Sequence, residues 1–160
     1  MKRYLKNSNW GLRLLVIVML IVFLGLFLQQ RQPLTTTDLN TQPSLTINDL
    51  TIPVAIADTP FLQQQGLSNR TSLPENAGML FVFSEKMAQH FWMYNMLFPL
   101  DVVWISDQAV VGIEENIPTP STESIPRFSS PVPVNYVLEL NAGFIKKYGI
   151  SIGDVVIFNL

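Results

Sequence analysis

The sequence predicts a mainly β domain, a sandwich or barrel with one or two short helices, preceded by a single apolar helix near the N-terminus. Three observations carry this. From residue 46 onward, six or seven short runs rich in β-branched and aromatic residues alternate with turn residues. Only two brief segments carry helix punctuation, which disfavours a parallel α/β sheet. Residues 14–28 (LLVIVMLIVFLGLFL) contain no polar side chain.

The apolar run comes first. Fifteen residues are short for ~30 Å of hydrocarbon, but Trp10, Gly11 and Leu12 extend the run across Arg13, whose long side chain can snorkel to the interface. A cleaved secretory signal and a buried core helix are the alternatives. The small-x-small cleavage pattern of a signal is missing after Leu28, where Gln29, Gln30, Arg31, Gln32 and Pro33 follow. The expectation is an uncleaved anchor, residues 1–28 forming a cytoplasmic stub and a single-pass transmembrane segment. Lys2, Arg3, Lys6 and Arg13 precede the run and only Arg31 closely follows it, so the N-terminus stays in the cytoplasm. The remainder is then periplasmic or otherwise extracytoplasmic. It holds all twelve acidic residues and six of the ten basic ones, a formal charge of −6.

Residues 29–44 (QQRQPLTTTDLNTQPS) lack aromatic residues and hold two prolines, the makings of a flexible linker. The exported domain is expected over residues 45–160. Residues 46–57 read as one strand, with Pro53 at an edge or bulge. Thr59 and Pro60 read as an N-cap and first helical residue, and Gly66 as the stop of a helix over residues 61–65. Further strands are predicted at 79–83, 90–94, 101–106, 109–116, 135–140 and 155–158, with a hairpin turn at Asp107-Gln108. Residues 141–148 read as a second helix, capped by Asn141 and ended by Gly149. Five prolines and several serines make residues 118–133 a long loop.

Composition narrows the function classes. The chain is 48% hydrophobic and only 14% charged, which excludes a wholly disordered protein. A net charge of −2 argues against nucleic acid as a partner. The absence of cysteine removes disulfides, thiolate metal sites and Cys nucleophiles. One histidine and no Gly-x-Ser-x-Gly elbow leave no catalytic residue to assign, and a non-enzymatic role is expected. Glu114-Glu115 could form half of an acid/base pair only if Asp101 or Glu139 lay within ~5 to 9 Å. Residues 149–154 lack the Gly-Lys-Ser/Thr ending of a phosphate loop, and no cofactor is expected.

Several ordered blocks carry a resemblance. Residues 57–60 (ADTP), Gln65-Gly66-Leu67, Arg70 and residues 73–83 (LPENAGMLFVF) form the first part. Residues 91–93 (FWM), Asn95, residues 99–105 (PLDVVWI), Asn116 and Pro118 form the centre; residues 136–140 (YVLEL), Ala142-Gly143, Gly149-Ile150 and Gly153-Asp154 form the end. Together they resemble the bacterial and archaeal family called domain of unknown function 192. The resemblance implies a compact, jelly-roll-like β domain, often exported or membrane-anchored, in a family without an established biochemical role. Tyr94 and Met96 stand where the family pattern has lysine and threonine, so no cation is expected at that point.

Within these blocks Trp92, Asn95, Asp101 and Asn116, with Arg70 and Glu139, are the candidate ligand-binding residues. Aromatic faces beside amides and carboxylates suit a small polar or glycan-like envelope ligand, held in a cleft under the 118–133 loop. The competing reading makes Trp92 and Trp104 core filler, with Asp101 and Asn116 satisfying loop backbone groups. Arg70 could instead pair with Asp58 or Glu75. Met87, His90, Met93 and Met96 recur every third residue in ligand types suited to Cu(I), although a straight strand would put them on alternate faces. No metal site is assigned. The leading expectation is a membrane-anchored, non-catalytic binding or accessory module. A protein-interaction scaffold in an envelope complex is the alternative, and Cu(I) binding a third possibility.

Overall fold

The computed structural model describes residues 42–160. The predicted anchor at residues 14–28 and the linker up to residue 41 lie outside the described residues. Among the described residues no helix is long and apolar enough to cross a membrane.

The domain is mainly β. Its strands are β1 (Ser44–Ile47), β2 (Leu50–Ala57), β3 (Gly78–Met87), β4 (His90–Trp92), β5 (Leu100–Ser106), β6 (Ala109–Ile117), β7 (Arg127–Ser129), β8 (Val134–Asn141) and β9 (Val156–Asn159). Two short helices, α1 (Pro60–Gln65) and α2 (Phe144–Tyr148), interrupt them. Seven strands form one sheet in the order β6-β5-β8-β3-β2-β1-β9, with β2 and β3 parallel and the other neighbours antiparallel. The sheet curls until its outer strands meet. Ala109 bridges Val155, the Val156 amide donates to the Gln108 carbonyl at 2.8 Å, and the Gly153 amide donates to the Val110 carbonyl at 2.9 Å. A single curled sheet, joined to itself only beside the start of β6, thus replaces the pair of facing sheets that a sandwich would need.

Alternation along the strands produces two apolar layers. Leu45, Ile52, Leu80, Val103, Val110, Leu138 and Val156 come from all seven strands and fill the concave side, where α2 adds Phe144 and Ile145. Met79, Phe81, Val102, Trp104 and Val137 point the other way, from β3, β5 and β8. That convex layer is covered by Leu67, Leu73, Met93 and Met96, and by a two-stranded flap in which β4 pairs with β7.

Five local readings are corrected by the structure. Residues 46–57 are two strands, because Asn48 and Asp49 adopt positive φ (47° and 60°) and form a two-residue hairpin. Pro53 sits where β2 passes from pairing with β1 (through Pro53) to pairing with β3 (from Val54), so its missing N–H falls at a change of partner rather than at a sheet edge. Asn141 does not cap α2: its amide donates to the Leu73 and Pro74 carbonyls, both at 3.1 Å, and Gly143 takes the N-cap position without a side-chain bond. The 118–133 loop contains β7, and Tyr94 lies beyond the end of β4. The first helix is as expected, with Thr59 Oγ1 accepting from the Leu62 amide at 3.3 Å.

Candidate functional site

Between α1, β3 and the flap lies a cavity of about 340 Å³. Its floor is the convex face of the sheet. Phe81 and Phe83, two apart on β3, stand on the same side of the strand and reach the cavity, and Glu139 enters from β8. The flap supplies Gln89, His90, Phe91 and Trp92, and α1 with its following turn supplies Gln63 to Ser68.

Each wall has a local cause. After Val82 the β3–β8 register slips, so that Met87 is the next residue paired, with Val134; this irregularity steers the chain out of the sheet and into the flap. Gln63 Nε2 donates to the Val82 carbonyl at 2.7 Å, which ties α1 to that irregular stretch. Gly66 ends α1 with φ 49° and ψ −133°, a conformation open to glycine, and a Cβ there would stand 3.2 Å from Phe81 Cζ. The flap is clamped at Gln89, whose amide donates to Ser130 Oγ and whose carbonyl accepts from the Ser130 amide, both at 3.0 Å. It is pinned to the sheet by Phe91, edge-on to Phe81 with centroids 5.0 Å apart and stacked with Phe128 at 6.0 Å. Gly112 makes room for the far side: a Cβ there would meet Pro131 Cγ at 2.7 Å and Trp104 Cδ1 at 3.0 Å.

Three buried side-chain atoms in this layer have no hydrogen-bond partner: Gln89 Nε2, Trp104 Nε1 and Glu139 Oε2. Two of them, on Gln89 and Glu139, belong to residues that line the cavity. An unpaired buried carboxyl is costly when charged, and burial pushes the Glu139 carboxyl up to about 8. At neutral pH it therefore keeps its proton and can donate as well as accept. Glu139 is the one acidic residue among the cavity-lining residues, and glutamines supply most of the remaining polar groups. The site is an aromatic-walled pocket with unused hydrogen-bonding capacity.

The sequence-derived candidates divide. Glu139 lines the cavity, and Trp92 forms part of its rim while remaining half exposed. Asp101 is fully buried and engaged, Oδ1 accepting from the Asn116 amide at 2.8 Å and Oδ2 from the Ile145 amide at 2.9 Å. It alternates with Val102 and Trp104, so it faces away from Glu139's side of the sheet and cannot share a cleft with Trp92. Asn116 contributes its backbone to that contact and has φ 53°; Asn95, at φ 55°, accepts the Asn69 amide through its carbonyl at 2.9 Å. Asn95 lies in a turn, whereas Asn116 sits inside β6 at the irregularity opposite Asp101. Arg70 is exposed and belongs to neither ion pair found among the described residues; Glu75, its suggested partner, is bonded to Lys147 at 2.7 Å. Met93 and Met96 are buried in the convex layer while Met87 and His90 are exposed, so the three-residue repeat does not converge. Sequence reasoning missed Gln89 and the Phe81–Phe83 pair, and only the period-two spacing of the phenylalanines could have signalled a shared face.

A curled β sheet with a flap-covered convex face and an aromatic-walled pocket above it defines a small half-barrel domain. The chain belongs to the family DUF192, described as uncharacterized ACR, which it matches over residues 43–158. It is similar to a crystal structure of a candidate transcription regulator from Sinorhizobium meliloti 1021, at 36% identity and a TM-score of 0.62, over 73% of this chain and 93% of that one. It is also similar to a crystallised protein of unknown function from Novosphingobium aromaticivorans DSM 12444, at 27% identity and a TM-score of 0.67, over 79% of this chain and 89% of that one. No match is found among curated proteins.

Proposed function

We propose that this chain is a non-catalytic binding module for a small, uncharged, polyhydroxylated ligand of glycan type, taken up in the cavity between α1 and the flap. The observation that carries this is the buried Glu139 carboxyl, which has an unpartnered oxygen and opens on a cavity walled by phenylalanine rings. A carboxyl that keeps its proton can donate to one ligand hydroxyl oxygen while its carbonyl oxygen accepts from another, and the Gln89 amide adds further donors. The rings offer apolar faces on which the C–H side of a sugar can lie. A single carboxyl without a second acidic group in the cavity suits retention of a ligand rather than paired acid/base hydrolysis.

In this proposal the module works outside the cytoplasm, on a membrane anchor formed by residues 14–28 with the N-terminus inside. The charge asymmetry around the apolar run supports this, and the formal charge of −6 beyond it disfavours nucleic acid as a partner. A role in transcription, as suggested for the Sinorhizobium protein, is therefore not extended to this chain.

Two measurements test these readings. Calorimetric titration of the full-length chain with chitotetraose is expected to show saturable binding that Glu139→Ala weakens by about tenfold or more. Binding that ignores Glu139→Ala, or no binding of neutral saccharides, overturns the cavity reading. Protease added to intact spheroplasts should digest the domain, and protection of its bulk would overturn the orientation.

A further inference from the structure

Trp92 is a wall of two cavities. Beside the Glu139 cavity, a second one of about 330 Å³ is lined by Trp92, Tyr94, Ile125 and Arg127. Its three hydrophobic members are unusually open to water: Trp92 is 50% exposed, Tyr94 53% and Ile125 40%. Trp92 and Arg127 are register partners on the two strands of the flap, and the guanidinium lies over the indole ring, 5.5 Å from its centroid. Arg127 takes part in neither ion pair found among the described residues. The ring holds the guanidinium in place while leaving its N–H fork without a carboxylate, and a planar fork matches a carboxylate in two parallel hydrogen bonds. On a domain of net negative charge, this cation next to two open aromatic faces is a local reversal of sign.

We propose that the Trp92–Tyr94–Arg127 cleft is a subsite for an acidic sugar unit, and that the chain recognises an oligosaccharide in which a neutral residue alternates with a uronate. The proposal rests on the cavity reading above for the neutral unit. The shared Trp92 wall makes the two subsites adjacent, so a ligand spanning them must be at least two units long. Trp92 and Tyr94 would stack on sugar C–H faces, and Arg127 would take the carboxylate. A neutral polymer would fill one cavity and leave the guanidinium unused; a free anion would meet Arg127 alone and gain nothing from the rings.

Calorimetric titration of the full-length chain with a hyaluronan tetrasaccharide, which alternates glucuronate and N-acetylglucosamine, and with chitotetraose in its fully N-acetylated form, which carries no charge, tests this. The acidic sugar is expected to bind about tenfold or more tightly, with the advantage shrinking as salt is raised. Arg127→Gln should erase the preference while leaving chitotetraose affinity unchanged, and Arg127→Lys should restore only part of it, since an ammonium cannot make the fork. Equal affinity for the two sugars, or a preference that survives Arg127→Gln, overturns the acidic subsite and leaves the neutral cavity standing. Failure of both sugars to bind overturns both. Inorganic phosphate competing at low millimolar concentration would show an anion site indifferent to the rings, and also overturns the proposal.

Discussion

Phe91, on the flap, stands edge-on to Trp104, on the sheet, with ring centroids 5.7 Å apart and planes at 80°. Because Phe91 also meets Phe81, Phe83 and Phe128, this one ring joins the flap to the face it covers. Phe91→Ala is expected to cost about 2–4 kcal/mol in urea unfolding, a little under the range for a fully buried ring. Amide exchange should rise first in residues 90–92 and 127–129. Unchanged exchange there would mean that the flap is held elsewhere.

Glu139 makes the domain sensitive to pH in a definite direction. The folded carboxyl titrates at about 8, while in the unfolded chain it ionises near the ordinary value, so between those limits the folded state holds the extra proton. Stability is then greatest below the ordinary carboxylate range and is lost as pH rises through about 8. Each pH unit between the folded and unfolded titration points is worth ~1.4 kcal/mol, so the loss amounts to several kcal/mol. Glu75, lowered by its hydrogen bond and charge pairing with Lys147, acts in the opposite sense, but it is fully exposed and contributes little. Subtracting the profile of Glu139→Gln from that of the wild type isolates the buried group. A flat difference between pH 5 and pH 9 would show that Glu139 is ionised in the fold.

Asp101 and Trp92 should separate cleanly. Asp101→Ala strands the Asn116 and Ile145 amides and is expected to cost about 2–5 kcal/mol. Trp92→Ala, at a half-exposed position on the flap, should move the melting temperature by only a few degrees while weakening saccharide binding. Thermal denaturation of both variants, followed by titration of each, checks the contrast.

Gly112→Ala places a methyl group 2.7 Å from Pro131 Cγ and 3.0 Å from Trp104 Cδ1, so the flap must lift or the indole must shift. A loss of about 1–3 kcal/mol is expected, accompanied by a change in near-UV circular dichroism from the tryptophan environment. A variant as stable as the wild type would show that Pro131 moves aside freely.

Much of this domain was legible residue by residue. Thr59, Pro60 and Gly66 bound a helix through local hydrogen bonds and backbone conformation, and Asp107 turns β5 into β6, because caps and hairpin turns are decided within four or five neighbours. Alternating apolar runs likewise announced β3, β5, β6 and β8. The Asn48-Asp49 hairpin was equally local, but its two polar residues lie inside a longer β-type run that reads as continuous.

The site was not legible in the same way. Burial pushes the Glu139 carboxyl up because β3 and β5 flank it and the flap closes above it, and Trp92 joins Arg127 across thirty-four intervening residues. Asp101 and Trp104 occupy opposite faces of one strand, yet sequence alone cannot say which face the flap covers. Local chemistry determined the family, most of the sheet strands, the Asp107 turn and the first helix of this protein. Only the tertiary fold decided that one sheet would curl and stitch to itself, and which polar groups would be buried without a partner. Desolvation and cross-strand proximity depend on chain segments distant in sequence, and no single segment carries them.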